Sequence, residues 1–459
     1  MSFQLREYQE ELIRKTRVEM RAGSRSILMV APTGAGKTAL ASHMLGTASS
    51  RGNNCWFMVH RRELIVQSSR TFDKVGIEHG IISAGFTPNP NCGVQIASVQ
   101  SLARRLDKVK APDLIVWDEC HHMASASWSS IFSMFPDVIH IGLTATPCRL
   151  DGRGLGDWFN VMVEGPTTKG LIESGFLSQY KMFAPSIPDM TGVKSARGDY
   201  VKDQVTAAMD KPSITGDAIE HYRRLCDGAR AIVFASSIEH SKNVVAQFCA
   251  NGYPAAHLDG TTDRAVRDRT LREFEAGKIR VISNVDLFGE GFDVPAIEVV
   301  ILLRPTQSTG LYLQMVGRGL RTSEGKTHAT ILDHAGNVFR HGLPDEIREW
   351  NLNSKPKTKR NRDDVPDVQQ CPECYYSGLP FRVCPECGYT TDTSGPRVIQ
   401  QLKGELVELD KVKLLTMSKK EQREAKTLED LIVLGRGRNY KYPEAWARKI
   451  YSFRGRNAV

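Results

Sequence analysis

No stretch of this 459-residue chain comes near eighteen uninterrupted apolar residues, and its start is charged from Arg6 onward with no apolar run of signal-peptide length. Neither a membrane span nor a secretory leader is expected on that pattern, and the expectation is a cytoplasmic protein. The polar bias of a disordered chain is missing too: 41% of residues are hydrophobic and 25% charged, ordinary values for globular domains. The length suffices for two or three of them. Net charge is nearly absent from the first 351 residues, where 40 Lys and Arg face 38 Asp and Glu; from Leu352 onward 21 against 14 supplies +7 of the total +9. That excess suits an anionic partner, nucleic acid before a membrane because no amphipathic anchor accompanies it, and equally a solvated polar tail. Six of the ten cysteines, Cys55, Cys92, Cys120, Cys148, Cys226 and Cys249, are scattered beside mainly apolar residues, as buried thiols are.

What is present begins at Ser26–Thr38, SILMVAPTGAGKT. The apolar run to Val30 reads as a buried strand, and at Ala31 small and turn-forming residues take over. Gly34 and Gly36 let the backbone bend tightly enough to aim N–H groups at phosphate oxygens. Lys37 offers a point charge for β and γ phosphates, Thr38 a hydroxyl for Mg²⁺, and the following helix its positive end. The pattern is a phosphate-binding loop with Ala31 in place of the first glycine. Upstream, Arg6 and Gln9 at a helix start can recognise a nucleobase edge, since an amide both donates and accepts.

Short apolar runs, Trp56–His60, Val94–Val99, Leu114–Asp118 and His140–Ala145, alternate with helix-capable segments. That alternation predicts an α/β fold with a parallel sheet whose strands end at the ligand site. The run ending in Asp118-Glu119-Cys120-His121 must present both carboxylates at its mouth, because burying them unpaired is costly. There Asp118 can hold Mg²⁺ and Glu119 can orient and deprotonate an attacking water. Thr144 and Thr146 close the next strand with hydroxyls that can link His121 to whatever binds across the cleft.

A second α/β set follows, with strands expected at Ala231–Ser236, Ala255–Gly260, Arg280–Val285 and Val299–Arg304 and no second phosphate loop. Such a domain can still lend charge to the first. Arg318 and Arg321, three residues apart on one helical face, can neutralise charge that develops as a γ phosphoryl leaves. Beyond it, Cys371-x2-Cys374-x9-Cys384-x2-Cys387 forms two knuckles whose thiolates can close around Zn²⁺. The last sixty residues read as short amphipathic helices mixing cations and aromatics, suited to nucleic acid and equally to plain helix packing.

A-P-T-G-A-G-K-T, D-E-C-H and T-A-T-P, in this order, resemble motifs I, II and III of the superfamily 2 helicases, and the chain looks closest to the bacterial RadD-type DNA-repair ATPases and phage relatives. The resemblance implies two tandem RecA-like domains, at 1–180 and 213–345, joined by a connector at 181–212. A linker at 346–370, a zinc module at 371–390 and a basic helical region at 395–459 complete the expected organisation. It implies nucleotide binding by Arg6, Gln9 and the loop Pro32, Thr33, Gly34, Ala35, Gly36, Lys37 and Thr38, with Gly291 and Asp293 from a motif V likeness. Catalysis would fall to Lys37, Asp118, Glu119, Gln314, Arg318 and Arg321, with Thr38 and Asp118 on Mg²⁺ and coupling through His121, Thr144 and Thr146. Arg61, Ser98 and Gln100 stand where relatives touch nucleic acid. The implied activity is ATP-dependent movement on, or unwinding of, DNA, with ATP, Mg²⁺ and Zn²⁺ as cofactors. An RNA helicase with the same engine and a nucleotide-switched adaptor using the zinc module remain open alternatives.

Overall fold

Strand β1 (Ser26–Val30) is buried at all five positions, as an apolar run without alternation must be in a sheet covered on both faces. With β2 (Cys55–Val59), β3 (Gly80–Ile82), β4 (Val94–Ser98), β5 (Leu114–Asp118), β6 (Ile139–Thr144) and β7 (Val161–Glu164) it forms a seven-stranded sheet in the order β3-β4-β2-β5-β6-β1-β7. Every pairing in it is parallel. β1 lies between β6 and β7, so the loop after it opens beside the ends of strands that carry Asp118 and Thr144.

In this computed structural model the described residues are 4–149, 153–184, 212–288, 297–353, 369–371 and 373–390, with 193, 195, 196, 199–201, 204, 205, 209, 427, 428, 447 and 451. Contacts divide the chain into Met1–Thr393 and Ser394–Val459. The region expected at 395–459 lies almost wholly outside the described residues. Among the described residues no helix is long and apolar enough to cross a membrane.

The first expected boundary needs correcting. Strand β8 (Gln179–Phe183) straddles residue 180 and pairs in parallel with the last strand of the second sheet. After the short ribbon of β9 (Ser195–Ala196) and β10 (Asp199–Tyr200) come β11 (Ala231–Phe234), β12 (Ala255–Leu258), β13 (Val281–Asn284), β14 (Val299–Leu302) and β15 (His328–Asp333). The six-stranded order is β12-β13-β11-β14-β15-β8, again parallel throughout. The four expected strands are present, and β15 and β8 extend them.

The expected linker at 346–370 is also corrected at its start. Arg348 is buried and donates to the carbonyls of His341, Leu343 and Glu346, each at 2.9 Å. Trp350 and Leu352 pack against the apolar core of the first lobe, and Leu352 O accepts from Gly156 N–H at 2.8 Å. Burying an indole and a leucine outweighs the solvation of a short polar stretch, so this segment straps the second lobe to the first. The four-cysteine module, too, docks on the second lobe: Ala184 N–H donates to Tyr375 O at 3.1 Å, and the Phe183 and Tyr376 rings meet edge to face.

Candidate functional site

β1 delivers the chain into Ala31–Gly36, and the helix Lys37–Ser49 starts immediately after. Gly34 and Gly36 adopt φ of +88° and +78°, the left-handed region open to a residue without a β carbon. Their surroundings leave no room for one. A β carbon at Gly36 would lie 2.6 Å from Nε2 of Gln9, and at Gly34 2.8 Å from Cδ2 of Leu177.

Gln9 is buried with both ends of its amide engaged inside the chain. Its Oε1 accepts from Arg6 N–H at 3.0 Å, and its Nε2 donates to Ala35 O at 3.0 Å, an oxygen shared with the Tyr8 hydroxyl at 3.0 Å. It braces the loop from behind. Arg6 is exposed and lies over the Phe176 ring, 4.6 Å from its centroid, with Tyr8 edge-on to the same ring. A flat aromatic base suits such a stack of cation and rings.

β5 brings Asp118 and Glu119 to the sheet edge, both buried. Glu119 turns into the left-handed region at φ 49°, uncommon for a residue with a side chain, and this step aims its carboxylate back at the loop. Its Oε1 lies 3.8 Å from Lys37 Nζ and its Oε2 3.5 Å from His121 Nδ1. Burial, then the neighbouring Glu119 charge, pushes the Asp118 carboxyl up to about 7, against the pull of Lys37 and His60. Burial leads that shift, so a bare carboxylate is disfavoured there beside a second buried acid, a setting that a divalent cation relieves. Oxygen donors of this kind fit a hard divalent cation such as Mg²⁺.

Thr144 and Thr146 close on each other: Thr144 Oγ1 accepts from Thr146 N–H at 3.1 Å and donates to Thr146 O at 2.9 Å. Thr146 in turn abuts the second lobe, its Oγ1 standing 3.0 Å from where a β carbon on Gly310 would be. Gly310 belongs to the helix Thr309–Gly319, which also carries Gln314 and Arg318, both buried. Gly317 on it packs against Thr33 of the phosphate loop. The helix ends at Gly319, so the expected sharing of one helical face by Arg318 and Arg321 is corrected: Arg321 lies just past the helix, bridged to Leu177, with its Cγ 3.8 Å from the same β-carbon position at Gly34. The arginine-bearing segment and the loop, nearly three hundred residues apart in sequence, are thus in direct contact.

Two residues that sequence reasoning missed hold this junction. Leu177 bridges Arg321 as an isolated strand pair, and Ser178 donates from N to Leu320 O at 2.7 Å and from Oγ to Arg321 O at 3.3 Å. Nothing in their type marks them; only the fold of β8 onto the second sheet brings them there. A second set of cross-lobe contacts lies along the helix Arg62–Lys74. Glu63 Oε1 meets Arg267 NH1 at 2.5 Å, and Arg61 NH1 donates to Asp286 O at 3.0 Å. Arg61, expected at nucleic acid, here joins the two lobes. Ser98 Oγ accepts from Ser101 N–H at 3.3 Å as a helix cap, while Gln100 is exposed. Gly291 and Asp293 lie outside the described residues.

The Sγ atoms of Cys371, Cys374, Cys384 and Cys387 all lie within 4.8 Å of one another, with the pairs 371–387 and 374–384 each 3.6 Å apart. Four thiolates tetrahedral about zinc at ~2.3 Å stand about 3.8 Å apart, so the donor set fits Zn²⁺.

Residues 2–149 match the family described as type III restriction enzyme, res subunit, and residues 217–323 the helicase conserved C-terminal domain. A 51.5 kDa protein of a Lactococcus phage (isolate 7-9) is 34% identical over 86% of this chain and 85% of its own length. A Saccharomyces cerevisiae protein named as a candidate ATP-dependent helicase, IRC3, is 30% identical over 72% of this chain, which spans about half, 51%, of it. The DNA 3′-5′ translocase XPB2 of Sulfurisphaera tokodaii is 24% identical over 70% of this chain and 79% of its own length. Among solved structures, a fragment assigned to the HsdR subunit of a type I restriction enzyme from Vibrio vulnificus YJ016 shares the fold, with TM-score 0.58, 23% identity, and 76% of this chain and 67% of that one covered.

Proposed function

This chain belongs to the superfamily 2 helicases, and on that premise we propose that it hydrolyses ATP between its two lobes to drive movement along, or unwinding of, DNA. The observation that carries the reading is the contact of Gly317 and Arg321 with Thr33 and Gly34, which puts second-lobe groups on a first-lobe phosphate loop. The narrower likeness to RadD-type ATPases stays a likeness of motifs.

In this reading the backbone of Thr33–Gly36 and the Lys37 ammonium hold the β and γ phosphates. Asp118 and Thr38 hold Mg²⁺, which when bound supplies positive charge to the phosphate oxygens. Glu119, turned toward the loop and flanked by Lys37 and His121, orients the attacking water and takes its proton. Arg318 and Arg321 neutralise charge on the departing γ phosphoryl, and Gln314 lies on the same helix as Arg318. Loss of that phosphate removes the reason for the arginines to stay, so the lobes part and reclose over a gripped strand. The grip is on backbone phosphates and reads little sequence. The four cysteines hold Zn²⁺ as a structural site with no open position.

DNA is favoured over RNA because the S. tokodaii relative is named a DNA translocase and the first domain matches a restriction-enzyme family. ATP turnover measured with matched single-stranded DNA and RNA tests this directly. Stimulation by DNA alone, lost in Lys37→Ala with the fold intact, is the expected result. Equal stimulation by RNA would replace the substrate, and a rate indifferent to both would favour a nucleotide-switched adaptor. Displacement of a triplex strand without duplex opening would make the protein a translocase only.

A further inference from the structure

We propose that Lys326 is a positioning residue for the arginine pair, its ammonium fixing the end of the helix that presents Arg318 and Arg321 to the phosphate loop. The proposal rests on the arginine role given above.

A helix leaves its last carbonyls without intrahelical donors and with partial negative charge. The helix Thr309–Gly319 ends against β14, where a β carbon on Gly319 would lie 2.7 Å from the Val300 side chain. Gly325, at φ +76°, turns the chain back beneath the helix end. Lys326 Nζ then donates to the carbonyls of Gly319, Arg321 at 2.9 Å and Ile297 at 2.7 Å. Three ammonium protons meet three oxygens, two of them on either side of Leu320, where the chain leaves the helix for Arg321. The Arg321 carbonyl also receives the Ser178 hydroxyl. The backbone from which this guanidinium extends is therefore tied to β14's entry on one side and to the strand entering β8 on the other. Fixing that backbone fixes the point from which the guanidinium reaches the phosphate loop. The same positive charge faces the negative end of the helix, which would otherwise oppose the arginines.

The ammonium is half-buried, and burial lowers its pKa to about 8, with Glu298 opposing that shift and Arg230 adding to it. Those two side chains pair with each other at 3.2 Å.

The test is a double-mutant cycle on ATP turnover with saturating single-stranded DNA, using Lys326→Met, Arg321→Ala and both together. Misplacing a charged group by an ångström costs roughly a hundredfold in rate. Lys326→Met should accordingly lose about ten- to a hundredfold in kcat, with KM for ATP within about twofold. Added to Arg321→Ala, it should change almost nothing, because the group it positions is already gone. Full kcat in Lys326→Met, or the same factor lost again in the Arg321→Ala background, would overturn the proposal. If Lys326→Met shows no cooperative melt, Lys326→Arg takes its place. The parent's kcat should then fall as pH rises through about 8 while the guanidinium variant's does not; an identical fall in both sinks the idea. A fully active Arg321→Ala, by contrast, removes the arginine role itself.

Discussion

Gly317 and Thr33 meet so closely that a β carbon on the glycine would lie 2.7 Å from the β carbon of the threonine. Backbone of the second lobe and side chain of the phosphate loop are thus in van der Waals contact, and only glycine permits that approach. Gly317 has an ordinary helical conformation, so alanine is tolerated by the helix itself and the cost falls on closure. Gly317→Ala should keep its melting midpoint within a degree or two while losing at least about tenfold in DNA-stimulated kcat, ~1.4 kcal/mol of barrier. Unchanged turnover would show that the closed contact is not the hydrolysing state.

Asp118 gives a pH dependence whose sign follows from its environment. Its folded-state pKa, about 7, lies above the ordinary 3.8, so the fold favours the neutral acid. That contribution is complete below about pH 4 and is lost as pH rises toward 7. Asp118→Asn keeps a neutral group throughout. Without nucleotide or magnesium it should melt above the parent at about pH 8, with the gap closing as pH falls through this window. Magnesium at the higher pH should raise the parent and leave the variant unmoved. A gap independent of pH would remove burial of Asp118 as its cause.

The Glu63–Arg267 pair joins the lobes away from the nucleotide loop. Arg267 is buried and Glu63 partly exposed, so its coupling should fall near 1–2 kcal/mol, between the ~0.5 of an exposed pair and the roughly 3–5 lost on breaking a buried one. Measured as a double-mutant cycle with Glu63→Gln and Arg267→Gln, that coupling should appear in the apparent affinity for DNA as well as in stability. Coupling confined to stability would make the pair a structural tie alone.

Zinc should be present at about one per chain and drop in Cys374→Ser. Because the knuckle supplies Tyr375 and Tyr376 to β8, its loss should also lower the melting midpoint of the motor lobes. Metal analysis alongside calorimetry distinguishes the outcomes: zinc loss with an unaltered melt would make the module a free appendage.

The strap offers a further check at Gly154, where a β carbon would stand 1.8 Å from Leu352 O. Gly154→Ala should expel Trp350 and Leu352 from the first lobe, seen as faster proteolysis after the second lobe at unchanged nucleotide affinity. Proteolysis at the parental rate would mean that the strap does not depend on that notch.

Much of the site was legible because its parts are local. A phosphate loop needs its strand, its glycines, its lysine and its hydroxyl in one short run, and Asp118 and Glu119 declare themselves by ending an apolar strand. Leu177, Ser178 and Lys326 were not legible, since an apolar residue, a serine and a lysine have no pattern of their own there. Gln9 was legible as a residue of interest, but only the fold showed both ends of its amide taken by Arg6 and Ala35.

By itself, then, the sequence determined two parallel α/β sheets, the residues able to hold a triphosphate and Mg²⁺, and four cysteines spaced for zinc, because each depends on periodicity or spacing within a few residues. Tertiary structure decided that β8 crosses to the second sheet, that Trp350 and Leu352 return to the first lobe, and that Arg321 meets Gly34. Those outcomes turn on which surfaces bury one another across hundreds of residues, a balance of packing and carbonyl satisfaction that no short stretch of chain contains.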